Sequence, residues 1–371
     1  MKTYKKLLLL FFFAFFLLAA CERDETINPN QDLIQQMKSV TDSMVRHAGV
    51  TGVVALVVDH KKGIDWLYTA GFSDRSGQSP MDGNHIFRIG SATKTMTGTV
   101  LLQLVDEGQL SLEDKLSDFF PEFPRSNEVT VAMLCNMTSG IFNYTDDDGW
   151  GYEFTVNPAR EWTPRDLVEI GFSHGYDFDP GTDWHYSNTN TIILGMIIEK
   201  LTGNSLQDEV ENRLLNPLKL NQTALLTGGT ALPGHHCKGY VWDDDLDDYT
   251  DISNAFDVSW AWAAGSAYST PRELQKYVQT LVEGGFLSKD LQQKRVTEMR
   301  LLGPDIYYGY AMLKRGSFYG HNGALPGYTT SMYHSKVKKC TIIIYFNCLT
   351  EIHPDALFYR FTNILIDEEY N

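Results

Sequence analysis

The sequence of 371 residues predicts an α+β fold: an antiparallel sheet flanked by N- and C-terminal helices, with a mostly helical lobe inserted between the strands. Apolar runs of strand type occur near the start, at residues 53–58 and 66–70, and near the end, at residues 329–333 and 341–346. The middle of the chain, roughly residues 111–254, is rich in helix and loop signals instead. Strand runs and helix runs that are segregated in this way are typical of an α+β chain.

Predicted helices bracket these strands in chain order. Residues 33–47 form the first helix and lead into a hairpin whose turn is His60-Lys61-Lys62-Gly63. In the middle of the chain, residues 189–201 are predicted to form a helix that ends at Gly203. A closing helix follows Pro354. Its apolar residues are Phe358, Phe361, Ile364 and Leu365.

The N-terminus resembles a secretion signal. Three lysines precede an apolar run at residues 7–18, which is too short to span a bilayer comfortably. The run ends in Leu18-Ala19-Ala20-Cys21, which resembles a bacterial lipobox with Cys21 as the lipidated first residue of the mature protein. We expect a lipoprotein signal peptide at residues 1–20 and a lipid anchor in the bacterial cell envelope, on the periplasmic face or the cell surface. An ordinary signal peptide with an incidental cysteine is the alternative.

The rest of the chain is predicted to divide into a linker and two lobes. Residues 21–32 form the linker, residues 33–110 and 255–371 the α/β lobe, and residues 111–254 the helical lobe. The length suits one folded unit with an insertion better than two unrelated domains. We expect the functional site in the cleft between the lobes.

The chain is acidic. Its formal net charge is −16 at pH 7, and loss of the three signal lysines would make it −19. An acidic surface excludes nucleic acid as the expected partner, because phosphate binding needs clustered positive charge. A small-molecule or peptide substrate is expected instead.

Three short strings occur in a fixed order and carry the chemical information. They are Ser91-Ala92-Thr93-Lys94, Tyr186-Ser187-Asn188 and His321-Asn322-Gly323. Similar strings occur elsewhere, for example at His47 and Ser335, but none of them fits the same order along the chain. The set built on Ser91 is therefore selected.

Ser91 has the sequence context of a nucleophile. A short apolar approach ends at Gly90 and the chain then turns helical, so Ser91 is predicted to open a helix. The N–H groups at that end of a helix stabilise developing negative charge. Lys94 lies one turn on, on the same face, and is the natural proton acceptor. Because an ordinary lysine has a pKa of about 10.4, the site must lower this pKa by burial or by a neighbouring positive charge.

Each of these residues also has a purely structural interpretation. Ser91 could be an N-cap, Lys94 a solvated first-turn residue, Tyr186 a core aromatic and His321 the start of a strand. A G-x-S-x-G string at Ser173 is typical of an α/β-hydrolase elbow, but that elbow needs a strand before the serine and a helix after it. Here a helical stretch precedes and a turn follows, so Ser173 is interpreted as a loop residue. The ordered set favours the chemical interpretation.

Further short strings accompany the three motifs. They are Phe87-Arg88-Ile89-Gly90, Leu104-Val105-Asp106-Glu107-Gly108-Gln109-Leu110-Ser111-Leu112-Glu113-Asp114, Met137-Thr138-Ser139-Gly140, Pro180-Gly181, Ala264-Gly265, Ser269-Thr270 and Pro326-Gly327. With them, the chain resembles the serine β-lactamase and D-alanyl-D-alanine carboxypeptidase superfamily, in the branch of class C β-lactamases, low-molecular-weight DD-peptidases and related esterases. The resemblance covers nearly all of the mature chain and implies a β-lactamase/transpeptidase-like fold.

The resemblance implies a role for each residue of the site. Ser91 would attack the carbonyl carbon and become acylated, while Lys94 and Tyr186 would share the proton transfers. The N–H groups of Ser91 and Ala324 would form an oxyanion hole, in which each donor stabilises the transition state by roughly 3 kcal/mol. Asn188 would hold the amide side chain of the substrate.

The third string departs from the family. His321 would supply electrostatics near the leaving group, beside Gly323, but Asn322 stands where the family usually has threonine or serine. The missing hydroxyl commonly contacts a substrate carboxylate. Asn322 still donates a hydrogen bond, yet recognition of a terminal carboxylate is less securely implied than the nucleophile.

The cysteines and possible metal ligands carry weaker signals. Cys340 and Cys348 flank a strand of eight extended steps, roughly 26 Å, and are too far apart to pair. Cys135 and Cys237 are left open, as a disulfide or as two buried thiols. The string His235-His236-Cys237 lacks a second ligand pair at zinc spacing, so no metal and no cofactor are expected.

We expect a serine hydrolase that works through an acyl-enzyme, with D-alanyl-D-alanine carboxypeptidase or β-lactamase-like activity. An esterase that acts on non-peptide acyl substrates is one alternative. A non-catalytic binding protein of the same fold is the other, because a fold alone does not determine function.

Overall fold

The strands come mainly from the regions next to the two terminal helices of the described chain, which comprises residues 30–365 of a computed structural model. In chain order they are β1 (Gly52–Asp59), β2 (Ile64–Asp74), β3 (Ser79–Pro80), β4 (Phe87–Arg88), β5 (Tyr240–Asp243), β6 (Asp248–Asp251), β7 (Tyr268–Ser269), β8 (Arg300–Gly303), β9 (Ile306–Gly309), β10 (Met312–Arg315), β11 (Phe318–Leu325), β12 (Tyr328–Ser335), β13 (Cys340–Phe346) and β14 (Cys348–Leu349). Within these residues, nine strands form one antiparallel sheet in the order β3-β2-β1-β13-β12-β11-β10-β9-β8. The predicted antiparallel sheet, built from both ends of the chain, is confirmed.

Helices cover this sheet and fill the middle of the chain. In chain order they are α1 (Gln31–His47), α2 (Lys94–Asp106), α3 (Leu116–Phe119), α4 (Val131–Asn136), α5 (Asp148–Val156), α6 (Pro164–Ser173), α7 (Asn188–Thr202), α8 (Leu206–Val210), α9 (Asn216–Leu218), α10 (Trp262–Gly265), α11 (Pro271–Glu283), α12 (Lys289–Thr297) and α13 (Asp355–Leu365). Helices α3 to α9 lie in the segment that was predicted to be helical. The division of the chain into two lobes stays a prediction.

The central strand β1 separates two cores. Every residue of β1 is buried. Because successive side chains of a strand point to opposite faces, Val54 and Leu56 join the core that contains α2 and α11, whereas Val53 and Val57 join the core that contains α1 and α13. A sheet that is buried on both faces has a strongly specified register. This sheet is a rigid base for the site.

The terminal helices pack on the same face of the sheet. Helix α13 buries Leu357, Phe358, Phe361 and Leu365, and the Trp66 ring of β2 meets Phe361 edge-on with 5.7 Å between ring centroids. Full burial of each such side chain stabilises the fold by about 1.5–3 kcal/mol. The predicted apolar face of the closing helix is correct, with Ile364 at its half-buried margin.

Strands β8, β9 and β10 are among the strands of the sheet that were not predicted from the sequence. Strands β8, β9 and β10 have only four residues each, and the turns between them carry weak signals. Asp305, Tyr310 and Ala311 all adopt positive φ angles, between 48° and 58°, where glycine or asparagine would normally mark the turn. Short strands joined by such turns lack the pattern on which a strand prediction depends.

The cysteines of the described residues are all free. Cys135, Cys237, Cys340 and Cys348 are buried thiols, so the disulfide that the sequence left open between Cys135 and Cys237 is not formed. Among residues 30–365, no helix combines the length and the hydropathy needed to cross a bilayer. Cys21 and the predicted signal peptide lie outside the described residues.

Candidate active site

Ser91 lies in a tight turn between the sheet and a buried helix. The turn is a 3-10 helix, Gly90–Thr93, and α2 begins immediately after it at Lys94. Nearly all of α2 is buried, which fixes the direction in which the turn presents its serine. The predicted helix opening at Ser91 is thus correct, with one 3-10 turn ahead of the α-helix.

Lys94 is fully buried, and its amine contacts the Ser91 hydroxyl. The Nζ–Oγ distance is 3.1 Å. The same Nζ lies 2.7 Å from Asn188 Oδ1 and 2.7 Å from the Ala264 carbonyl oxygen. No carboxylate is among these three partners. Burial lowers the pKa of the amine well below its usual range.

These contacts orient the amine. Asn188 Oδ1 and the Ala264 carbonyl are pure acceptors, so each takes one N–H of the amine. A neutral amine has two N–H bonds and one lone pair. In the neutral form of Lys94 the lone pair would therefore point to the third partner, the Ser91 hydroxyl, which is the direction needed to accept a proton, whereas the protonated form donates to that hydroxyl.

Tyr186 places its phenol beside the same pair. The Lys94 Nζ lies 4.9 Å from the centroid of the Tyr186 ring. Burial raises the pKa of the phenol well above its ordinary value, whereas the neighbouring Ser91 hydroxyl acts in the opposite direction. The phenol oxygen is buried and completes no hydrogen bond among the described residues. It is a protonated donor that lies close enough to the Ser91 hydroxyl for that hydroxyl to lower its pKa.

Two glycines allow β11 to lie against the Ser91 turn. A Cβ on Gly323 would be 2.0 Å from the Ile89 carbonyl oxygen and 2.9 Å from Ser91 N. A Cβ on Gly90, whose φ is +53°, would be 2.7 Å from Ala324 N. Only glycine permits such close approach. It brings together the two backbone N–H groups that were predicted to form an oxyanion hole.

His321 lies on β11 with its imidazole buried next to Tyr186. The two ring centroids are 6.3 Å apart. His321 Nδ1 donates to the Asn322 carbonyl oxygen at 2.5 Å, whereas the buried Nε2 has no partner among the described residues. Burial is the largest cause that lowers the pKa of His321, to about 3. The ring is therefore neutral near pH 7, and its Nε2 is an unpaired acceptor.

Ser91 lies where two cavities meet. The first, which we call the tryptophan pocket, has a volume of about 230 Å³ and is lined by Tyr144, Trp150, Trp260 and Asn188. The second, the histidine pocket, has a volume of about 430 Å³ and is lined by Trp184, Tyr186, Tyr308, Arg315, His321, Asn322 and His353. Ser91 and Ala324 line both cavities. Their sizes suit a small molecule or a short peptide.

The cation of the histidine pocket already has a counterion. Arg315 Nη2 lies 2.7 Å from Asp355 Oδ2, and the other guanidinium donors bind two tyrosine hydroxyls at 2.8 and 2.6 Å. Asn322 Nδ2 also donates to Asp355, at 2.7 Å. The charge of Arg315 and one amide hydrogen of Asn322 are therefore directed to a protein carboxylate.

The structure brings the predicted site residues together around Ser91, with some of their polar groups already engaged. Asn188 contacts Lys94 through its oxygen and Thr145 through its nitrogen, at 2.7 and 3.1 Å, so its amide first of all orients the lysine. The sequence did not identify Trp150, Trp260 or Asp355. Asp355 directly follows His353-Pro354 at the predicted start of a helix, where an acid ordinarily complements the helix dipole.

The competing elbow at Ser173 is excluded by its surroundings. Ser173 is exposed and is the last residue of helix α6. Its prediction as a loop residue is therefore wrong. Its hydroxyl donates to the Ile170 carbonyl oxygen, at 2.7 Å. No strand precedes it, as a nucleophile elbow requires.

One group of potential metal ligands lies outside the two cavities. Ligand atoms of Asp82, His85 and His235 are within 4.8 Å of one another. The sequence considered His235 with its immediate neighbours only. The absence of a metal stays a prediction.

Comparison with known protein families gives one match over most of the chain. The family model described as Beta-lactamase matches residues 32–361. Among curated relatives, Penicillin-binding protein 4* of Bacillus subtilis (strain 168) is 28% identical over 295 residues. The match covers 73% of this chain and 63% of that protein, so the chain spans less than two thirds of this relative's length.

Solved structures with the same fold include two amide hydrolases. A D-stereospecific amidohydrolase from Streptomyces sp. superposes with a TM-score of 0.78 at 32% identity, over 85% of this chain and 94% of that one. A D-amino acid amidase from Ochrobactrum anthropi SV3, in complex with D-phenylalanine, superposes with a TM-score of 0.79 at 26% identity, over 90% and 99% of the two chains.

Proposed function

The chain belongs to the beta-lactamase family, and we propose that it hydrolyses D-amino acid amides through an acyl-enzyme on Ser91. That it is a serine hydrolase follows from the family and from its amidohydrolase neighbour. The observation that carries the proposal is the Lys94 amine, held by two acceptors so that its lone pair faces the Ser91 hydroxyl at 3.1 Å.

Acylation starts with a proton transfer from Ser91 to Lys94. The Ser91 oxygen attacks the amide carbonyl carbon as its proton moves to the neutral Nζ. Burial supports this role, because an amine with an ordinary lysine pKa would carry its proton already at pH 7. The negative charge that develops on the carbonyl oxygen is stabilised by the N–H groups of Ser91 and Ala324.

The leaving group departs as an amine on the side of the histidine pocket. The Tyr186 phenol, a buried donor without a partner, supplies a proton to the leaving nitrogen, and Lys94 returns its proton to the phenol. The unpaired Nε2 of His321 accepts an N–H of the same leaving group. An ester leaving oxygen has no hydrogen to offer this acceptor. The Tyr186 donor and the His321 acceptor together therefore favour amides over the alternative substrates, esters.

The acyl part of the substrate occupies the tryptophan pocket. Trp150 and Trp260 lie with 5.4 Å between ring centroids and provide an aromatic wall next to Ser91. Such a wall binds an apolar or aromatic side chain. The amidase from Ochrobactrum anthropi SV3, whose structure holds D-phenylalanine, supports an aromatic D-amino acid as one such acyl group.

D-Alanyl-D-alanine carboxypeptidase or β-lactamase-like activity is the second candidate. The similarity to Penicillin-binding protein 4* of Bacillus subtilis favours it. Both substrate types carry a carboxylate on the leaving side. The Arg315 cation that lines that side is matched by Asp355, and this argues for a leaving group without a negative charge. We therefore rank neutral amides first.

A substrate panel tests the proposal. D-Phenylalanine amide, L-phenylalanine amide, the matching D-phenylalanine methyl ester, a D-alanyl-D-alanine peptide and a β-lactam would be compared by kcat/KM. We expect the D-amide to be hydrolysed fastest and Ser91→Ala to abolish its turnover. Ser173→Ala is the matched control, since that exposed serine should leave activity unchanged. Turnover of the peptide or β-lactam alone would establish the second candidate instead, and turnover of the ester alone the esterase.

We also propose that the protein is lipid-anchored in the bacterial cell envelope through Cys21. The lipobox-like string before this cysteine and the apolar run ahead of it support the proposal. Metabolic labelling with palmitate should mark the wild-type protein and not Cys21→Ser. Labelling of both forms, or recovery of the wild type without lipid, would contradict it.

A further inference from the structure

We propose that Asp82, His85 and His235 form a binding site for a divalent transition-metal cation such as Zn²⁺, apart from the two cavities at Ser91. One ligand atom from each residue lies within 4.8 Å of the other two. Two imidazole nitrogens and one carboxylate oxygen are a ligand set that zinc accepts, with water as the fourth ligand.

The geometry of the trio is close to a coordination shell. His235 Nε2 lies 3.0 Å from Asp82 Oδ2. Tetrahedral zinc with bonds of about 2.0–2.1 Å separates neighbouring ligand atoms by roughly 3.3 Å. That pair therefore needs almost no movement, whereas the widest separation in the trio must shrink by about 1.5 Å. The Asp82 and His235 side chains are 45% and 63% exposed, and the Asn84 N–H holds Asp82 through its other oxygen, Oδ1, at 2.9 Å.

His85 provides the fixed ligand. It is 4% exposed, and its Nδ1 accepts the backbone N–H of Asp82 at 3.2 Å. Because an imidazole nitrogen has one lone pair, Nδ1 binds a cation by exchanging this hydrogen bond for the metal, and the Asp82 N–H then turns to water. The His85 and His235 rings lie against each other with centroids 4.1 Å apart, which brings the second imidazole to the same place.

The site joins segments that are distant in sequence. His235 is 153 residues from Asp82 along the chain, and its carbonyl oxygen accepts the N–H of Ile86 at 2.9 Å. The strand that follows, β4, leads directly to Ser91. A bound cation would tie the His235 loop to this approach and stabilise the folded state, because the three ligands come together only there. We therefore assign the cation a structural role rather than a catalytic one.

Imidazole ligands determine which cations should bind. Mg²⁺ and Ca²⁺ prefer oxygen ligands, whereas imidazole suits zinc, nickel and copper. Zn²⁺ should thus bind and stabilise the protein, and Mg²⁺ at the same concentration should do neither. The comparison separates coordination from a general effect of divalent charge on an acidic protein.

Titration calorimetry and thermal unfolding test the site on the purified protein without a polyhistidine tag. Zn²⁺ should bind at one equivalent and, at a free concentration ten times its dissociation constant, raise Tm by about 2 °C. His235→Ala and Asp82→Asn, both at exposed side chains, should lose the binding and the shift. His236→Ala should keep both, because that neighbour lies outside the trio. His174→Ala should also keep both, although His174 and Asp147 likewise place an imidazole nitrogen 2.7 Å from a carboxylate oxygen.

Three results would overturn the proposal. They are no binding of Zn²⁺, binding that survives in His235→Ala and Asp82→Asn, and binding that is lost in His174→Ala or His236→Ala. Tm without metal, measured for every variant, shows whether each one is folded, so that loss of binding is not confused with loss of structure.

Discussion

The two cavities that meet at Ser91 are built from different chemistry. Aromatic rings wall the tryptophan pocket, and the Asn188 amide there is held by Lys94 and Thr145. Its unpaired buried polar atoms include the two indole N–H donors of Trp150 and Trp260. The histidine pocket adds a buried acceptor without a partner, on His321, next to the unpaired phenol of Tyr186.

This difference assigns recognition of the acyl group to the tryptophan pocket and proton transfer to the leaving group to the histidine pocket. An aromatic wall discriminates by shape and apolar area, so a change there should alter binding and leave the chemical step nearly intact. An unpaired acceptor beside an unpaired donor costs stability in the free protein, and a substrate group that arrives there satisfies it. Changes in the histidine pocket should therefore depend on the leaving group. The predictions that follow test this division.

Gly323→Ala should lower activity on amides and on esters to the same extent. Both substrate classes depend on the oxyanion hole that the Ala324 backbone helps to form. The new Cβ would meet the Ile89 carbonyl oxygen at 2.0 Å and must push β11 away from the Ser91 turn. We expect kcat/KM to fall by about 10²–10³ for amides and esters alike, the range for loss of an oxyanion donor. Gly303→Ala is the control, since a Cβ there meets nothing within 4 Å. A loss confined to one substrate class would contradict the shared oxyanion hole.

His321→Leu should impair amides more than esters. The variant fills much of the imidazole volume but removes the Nε2 acceptor, so kcat/KM for D-phenylalanine amide should fall about tenfold more than for the corresponding ester. His321→Gln, which restores an acceptor oxygen, should recover part of the loss. Equal losses of kcat/KM on the amide and the ester would show that His321 does not recognise the leaving group.

The pH dependence of kcat/KM tests whether His321 stays neutral while the enzyme works. Because burial lowers the pKa of His321 to about 3, the ring gains its proton only as the pH falls toward 3, and it contributes a constant acceptor above pH 5. The acidic limb of the kcat/KM profile should lie at a higher pH than the titration of His321. It should come from protonation of Lys94, whose pKa is lowered by burial. The acidic limb of kcat/KM should therefore keep its position in His321→Gln. A shifted limb would show that His321 titrates in the working range.

Asp355→Asn should move specificity toward leaving groups that carry a carboxylate. The change removes the negative charge that now matches Arg315 and keeps an acceptor oxygen in place. We expect the kcat/KM ratio of a D-alanyl-D-alanine peptide to D-phenylalanine amide to rise about fivefold, which corresponds to about 1 kcal/mol. An unchanged ratio would mean that Asp355 does not control this side of the site.

Trp150→Leu should have the smallest effect of these variants. It should weaken substrate binding and leave kcat unchanged. Loss of one aromatic wall should raise KM for D-phenylalanine amide about threefold and leave D-alanine amide unaffected, since an aromatic contact contributes about 0.5–1.5 kcal/mol. A fall in kcat for both substrates would show instead that the tryptophan pocket supports the chemical step.

The parts of the fold and site that the sequence predicted are those with local signals. Strand β1 and helix α13 have clear apolar patterns, and Ser91 and Lys94 are related by one helical turn. The meeting of Ser91 with Tyr186 could be inferred only from motif order and resemblance, because no local rule places residues 95 positions apart.

The parts that the sequence missed depend on tertiary packing. Asp355 matters because helix α13 begins beside β10 and β11, where Arg315 and Asn322 lie. Trp150 lines a cavity because helix α5 packs against the turn at Trp260. His235 meets His85 across about 150 residues. None of these pairs has a spacing that a search of the sequence would single out.

Site-specific acylation tests the central claim most directly. The wild-type protein would be mixed with an activated D-amino acyl ester, quenched within a turnover, digested and analysed by mass spectrometry. We expect one acyl group on the peptide that contains Ser91, no adduct in Ser91→Ala, and acylation slowed by at least about 10³ in Lys94→Met. An adduct on another residue, or the same rate in Lys94→Met, would contradict the account.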